Sequence, residues 1–158
     1  MLTGVIFCES DSFVSRTIRD VTNEDDSHVA LLFDETVLHF RFLGFESMHI
    51  EEFEQIYRIH DILLPPKEIM VSESAVIKHY SGKAYDFIGM LYVGVFLLCR
   101  DLFGFHLPGG NYWQNKRDRF CVEFASEICI GERGSMWTPG QFKATLFGNG
   151  WVQCKTNE

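Results

Sequence analysis

The strongest constraint on this chain is a run of 13 uncharged, mostly apolar residues, 87–99, that stops at Arg100 and Asp101. Crossing a bilayer takes about 20 apolar residues. The run is too short for that and reads as one helix, over residues 85–103, buried in a folded domain. A re-entrant or membrane-surface placement is the alternative; stable membrane insertion is not expected. A chain of 158 residues is about one ordinary domain, so residues 1–158 are expected to form a single domain. Hydrophobic residues at 46% and charged residues at 23% exclude a disordered, collagenous or coiled-coil chain. Phe (15) far outnumbers Tyr (5) and Trp (3), which predicts an aromatic-rich core.

Around that helix the pattern is mixed. Residues 2–8 read as a strand, and Asp11 or Ser12 caps a helix to about Val21. HVALLF at 28–33 and VLHFRF at 37–42 read as a hairpin about the turn Asp34-Glu35-Thr36. Residues 51–61 look helical, with Phe53, Ile56 and Tyr57 on one side, and residues 68–71 read as a short strand. Ser72 or Ser74 caps a helix to Tyr80 that Ser81-Gly82 ends. Residues 119–130 form a helix, Thr138-Pro139 starts another, and residues 151–154 make a last strand. Strands and helices do not alternate regularly, so the fold class is α+β, with a small antiparallel, barrel-like sheet packed against helices.

Net charge is −8 and no Lys/Arg run exceeds two residues, which argues against nucleic acid or an anionic membrane as partner. The five cysteines form no CxxC pair, so no zinc ribbon or thioredoxin motif is expected. The opening MLTGVIFCESD lacks a basic n-region and does not read as a signal peptide. The expected location is cytoplasmic, a viral or phage component included. Asp25 and Asp26 read as a solvated turn, and His49, His60, His79 and His106 as surface or satisfied positions.

One constellation can carry chemistry. Cys121 follows the polar stretch Asn115-Lys116-Arg117-Asp118-Arg119 and falls in the first turn of an expected helix. Unpaired N–H groups and the positive dipole end there stabilise a thiolate. A nucleophilic cysteine also needs a base, usually a histidine oriented by a third polar group. His28 opens the first hairpin strand and His39 lies near the end of the second, so strand pairing can bring the rings together. The same three residues also fit a bland reading, a core cysteine and two strand histidines.

The stretch SFVSRTIRDVTNEDDSHVALLFDETVLHF (12–40) resembles the N-terminal part of the circularly permuted papain-like hydrolases, the YiiX-like relatives of the NlpC cell-wall peptidases. Tyr85-Asp86-Phe87-Ile88-Gly89 is similar to the start of that family's central helix. Arg119-Phe120-Cys121-Val122-Glu123-Phe124 is similar to its nucleophile motif, and Thr138-Pro139 follows in order. The resemblance implies a permuted papain-like fold with Cys121 as nucleophile, His28 as base and His39 as the orienting third residue. Glu35 or Thr36 is the alternative third member. A histidine in that place is similar to the lecithin:retinol acyltransferase relatives.

The implied activity is that of a cysteine amidase or peptidase. It would work through a thioester acyl-enzyme on a peptide, possibly a cell-wall peptide, or an acylated small molecule. No metal or organic cofactor is required. An acyltransferase or thioesterase of the same fold is the alternative. So is a catalytically inactive binding domain, suggested by Val122 after the cysteine and the short His28–His39 spacing. The loop Pro108-Gly109-Gly110-Asn111, with Tyr112 and Trp113, is a candidate wall of the substrate cleft.

Overall fold

Strand β1 (Gly4–Glu9) carries a neighbour on each edge, and the fold is built outward from it. In the computed structural model, which describes residues 1–104, 117–134 and 136–154, six strands form one antiparallel sheet. Beyond β1 they are β2 (His28–Phe33), β3 (Thr36–Arg41), β4 (Gly44–His49), β5 (Arg58–Leu64) and β6 (Val152–Gln153), in the order β4-β3-β2-β1-β5-β6. The helices are α1 (Phe13–Thr22), α2 (Ile50–Glu54), α3 (Glu73–Tyr80), α4 (Phe87–Phe103), α5 (Cys121–Ile130) and α6 (Pro139–Gly148). The class is therefore α+β, as the mixed pattern implies. Pairing leaves β4 and β6 as edges, so among the described residues the sheet is open and not closed into a barrel. None of the described helices is long and apolar enough to cross a membrane.

Side-chain alternation sorts the strands into two faces. Val5 and Phe7, Val29, Leu31 and Phe33, and Leu38 and Phe40 face the larger core, which α5 and α6 cover with Phe124, Phe142 and Leu146. Ile6 and Cys8, Ala30 and Val37 face a smaller cluster closed by Phe53 of α2. The aromatic core expected from the phenylalanine count is present. Phe124 lies 4.9 Å from Tyr80, 5.3 Å from Phe40 and 5.7 Å from Phe45 by ring centroids, all edge-on.

The capping chemistry works as the residue types dictate. Ser12, Ser72 and Thr138 each accept a backbone N–H at a helix start. Asp86 does the same for α4: its Oδ1 accepts the Gly89 N–H at 2.8 Å. A Cβ on Gly89 would stand 2.5 Å from that carboxylate, which is why glycine occupies this place.

Four sequence expectations are corrected. The helix expected over 51–61 is only α2, because residues 58–64 take the free edge of β1 as β5; long-range pairing outweighs a local helical period. Residues 44–49, with no strand expected, pair with β3 along their whole length from Thr36↔His49 to Arg41↔Gly44. The strand expected at 68–71 is a single bridge, Leu2↔Ile69. The hairpin turn takes only Asp34 and Glu35, with Asp34 left-handed at φ 51, and Thr36 already belongs to β3.

Phe124→Ala should cost about 3–5 kcal/mol of unfolding free energy, since it opens a cavity among three rings. Phe13→Ser, at an 82% exposed position, should stay within about 0.5 kcal/mol of the parent. Urea denaturation of both variants checks the pair.

Candidate active site

His28 and His39 meet on the α2 face of the sheet. In the β2–β3 register Leu31 opposes Leu38 and Leu32 opposes Val37. Continuing that register sets His39 across from Ala30, with His28 two residues further on the same face, a diagonal pair within reach of long side chains. The contact is direct: His28 Nε2 lies 3.0 Å from His39 Nδ1. The expected pairing of the two rings is therefore found. Glu35, the alternative partner, instead contacts His49 Nε2 at 3.3 Å, and Thr36 opens β3 opposite His49.

The sequence argument passed over Tyr57. Its ring stacks on His28 at 5.0 Å and 16°, and stands edge-on to His39 at 5.6 Å. Phe53 stacks on the far side of Tyr57 at 4.5 Å and packs edge-on to His39 at 5.2 Å. The signal was the i, i+4 spacing of Phe53 and Tyr57. What it could not tell was that two strand histidines lay beneath them. Arg41, two residues after His39, donates to Glu46 Oε2 at 3.0 Å and borders the same cleft.

This surrounding keeps the pair uncharged. Burial, with Arg41 adding repulsion, lowers the His28 pKa to about 3. Burial, then His28 and Arg41, lowers that of His39 to about 2. His39 is fully buried, and its Nε2 has no hydrogen-bond partner among the described residues.

Cys121 is the first residue of α5, as expected, but it lies in the larger core on the opposite face of the sheet. It is 4% exposed. Backbone N–H groups of Val29, Val122 and Cys121 itself lower its pKa, yet burial outweighs them and pushes it up to about 11. The thiolate expected from the helix terminus is thus corrected: desolvation wins, and the resting group is a thiol. Cys121 and His28 share no hydrogen bond. What joins them is β2, since the amide aimed at the thiol belongs to the residue after His28.

The two groups open into different spaces. His28 lines a cleft of about 410 Å³ of mixed lining, in which Ser10, Ser12, Arg41 and Tyr57 supply polar groups. Cys121 lines an apolar pocket of about 190 Å³. Ile18, Ser27 and Tyr85 border both. The helix that carries Cys121 is tied to the start of α4, where Asp86 N–H donates to Arg119 O at 3.0 Å.

Asp26 does not belong to a solvated turn. It is 4% exposed, accepts from Lys143, and has Oδ1 3.0 Å from His60 Nδ1. Among the described residues no group of three or more His, Cys, Asp or Glu is arranged to hold a metal. The 108–111 loop with Tyr112 and Trp113, and His106, lie outside the described residues.

No protein-family model matches the chain, and neither curated proteins nor solved structures give a match.

The neutral pair makes stability acid-sensitive. Unfolded histidine titrates near 6.5, so between that value and about 3 the unfolded chain binds protons that folded His28 refuses, and His39 behaves alike. The stabilisation is complete above about pH 6.5 and is lost as pH falls toward about 3, at about 1.4 kcal/mol per pH unit for each ring. Urea unfolding at pH 7, 6, 5 and 4 should show this slope in the parent. It should be shallower in a His28→Gln/His39→Gln variant.

Proposed function

We propose that the protein is a cysteine hydrolase of the permuted papain-like kind, an amidase or peptidase of the NlpC superfamily that works through a thioester on Cys121. The observation that carries the reading is the 3.0 Å contact of His28 Nε2 with His39 Nδ1, one residue from the Val29 amide that reaches the Cys121 thiol. With its proton on Nε2 and donated to His39, His28 holds its lone pair on Nδ1. That is the tautomer a general base requires.

The reaction begins from neutral partners. As substrate enters across the Ser27 and Tyr85 boundary that the two spaces share, Cys121 Sγ bonds to the carbonyl carbon and its proton is relayed to His28 through solvent water at that boundary. The amide N–H groups of Cys121 and Val122 at the head of α5 stabilise the oxyanion. His28 then returns the proton to the leaving amine or alcohol, whose bond to carbon breaks. Water entering from the His28 cleft releases the acid and restores the thiol; an amine or alcohol acceptor in the same cleft would take the acyl group instead. Tyr57 and Phe53 hold the imidazoles in place and keep bulk water from them.

p-Nitrophenyl acetate hydrolysis, followed with mass mapping of the acetylated residue, tests this. Acetyl should appear on Cys121 alone, and Cys121→Ala should abolish turnover. His28→Ala should reduce kcat/KM by roughly 10²–10⁴-fold. Since His28 stays neutral down to about 3, kcat/KM should be flat from pH 5 to 8 rather than fall off near the usual histidine value. Acetyl spread evenly over the cysteines, or turnover that survives Cys121→Ala, would sink the reading.

A further inference from the structure

The chemistry above moves a proton between two residues that share no hydrogen bond, so the seam between their two spaces has to carry it. Among the described residues Ile18, Ser27 and Tyr85 border both spaces. The Ile18 side chain has no polar atom. Ser27 and Tyr85 bring one hydroxyl each, and what each hydroxyl bonds elsewhere fixes what it can offer at the seam.

Ser27 is 3% exposed, and its Oγ lies 2.5 Å from Ser15 Oγ. Ser15 is buried too, and its Oγ already accepts the Ser10 N–H at 3.0 Å. Among the described residues the only acceptor near the Ser15 hydrogen is Ser27, and a buried donor is costly to leave unmade. Donation therefore runs from Ser10 through Ser15 to Ser27, and the Ser27 hydrogen is turned to the seam. Tyr85 is the reverse case. Its O–H donates to Met90 Sδ at 3.1 Å, so its oxygen acts at the seam as an acceptor. A buried water makes about three hydrogen bonds, within a range of about 2–4. Ser27 O–H and Cys121 S–H can donate to such a water, and Tyr85 Oη and His28 Nδ1 can accept from it.

We infer that Ser27 and Tyr85 are positioning residues that hold the water carrying the proton from Cys121 to His28. The inference rests on the thioester reading and names the groups on which its first step depends. The step balances. The Cys121 S–H bond breaks as its proton joins the water oxygen, and the water gives a proton of its own to His28 Nδ1. The electron pair left on sulfur forms the S–C bond while the carbonyl π pair moves to oxygen. The water is regenerated, and Ser27 and Tyr85 neither gain nor lose a proton.

p-Nitrophenyl acetate isolates this transfer, because nitrophenolate leaves without needing a proton. The test compares the parent with Ser27→Ala, Ser27→Thr and Tyr85→Phe. Nitrophenolate release gives the acylation rate, mass mapping places the acetyl group, and melting temperatures check folding. Each rate is also measured in mixtures of light and heavy water. A relay moves more than one proton at once, so the parent rate should fall along a curve as the heavy-water fraction rises. Ser27→Ala and Tyr85→Phe should each acylate Cys121 roughly 10²-fold more slowly, with the curve reduced to a straight line. Ser27→Thr keeps the hydroxyl and should recover most of the rate and the curve. Tyr85→Phe keeps its ring and carries the test alone if Ser27→Ala does not fold. A parental rate in either variant would overturn the inference while Cys121 acylation stands. So would a loss that Ser27→Thr fails to restore, or one that leaves the curve unchanged, since both mark a packing effect. A parent that the ester leaves unacetylated at Cys121 would remove the thioester reading and the water station with it.

Discussion

A buried carboxylate closes the first turn of α5 and ties it to Arg133 beyond the helix. Glu123 is fully buried, its Oε2 accepts the Phe120 N–H at 3.3 Å, and Arg133 donates to both its oxygens at 3.1 and 3.2 Å. A charge in such a place persists only when paired and hydrogen-bonded, and leaving it without its partner typically costs about 3–5 kcal/mol. The consequence is positional. With the helix start pinned, Cys121 cannot drift from the Val29 amide, and Phe124 one turn on fills the aromatic cluster beneath β3. Arg119, bonded to Glu127 at 2.7 Å, and its backbone link to Asp86 bring α4 to the same point. Thus the place of Cys121, the core and the pocket wall share one set of contacts.

Desolvation dominates the electrostatics around that point. The helix terminus supplies amide dipoles at the thiol, yet the group stays protonated because its surroundings are apolar. The two histidines stay neutral for the same reason, with Arg41 adding to the effect. In the proposed reaction such a resting pair of neutral groups would separate charge only in the transition state, where backbone amides are already oriented. Tyr57 contributes by shape: one ring covers His28 and borders His39, so the imidazole contact is kept on the dry face of the sheet.

Much of this was legible in the residues. Ser12, Ser72 and Thr138 mark helix starts by cap chemistry, and HVALLF with VLHF marks the hairpin that joins the histidines. The turn and strand alternation allow His28 and His39 to meet, but the register that sets them on one face comes from the β2–β3 pairing itself. What was not legible depends on partners distant in the chain. RIHDILL becomes β5 only because β1 offers an edge, and Asp26 is drawn inside by Lys143 and His60. Nor does a sequence say that the faces carrying cysteine and histidines differ, or that burial will outweigh a helix dipole.

The proposed chemistry depends on a neutral His28 that donates through Nε2 to His39 and keeps its lone pair on Nδ1. Long-range ¹H–¹⁵N correlation spectra of histidine-labelled protein read this directly, with His28→Gln and His39→Gln spectra for assignment. The account predicts His28 protonated on Nε2 alone and neutral from pH 8 down to pH 5, its signals shifting when His39 is replaced. A His28 protonated on Nδ1, or one that titrates near 6.5, would contradict it.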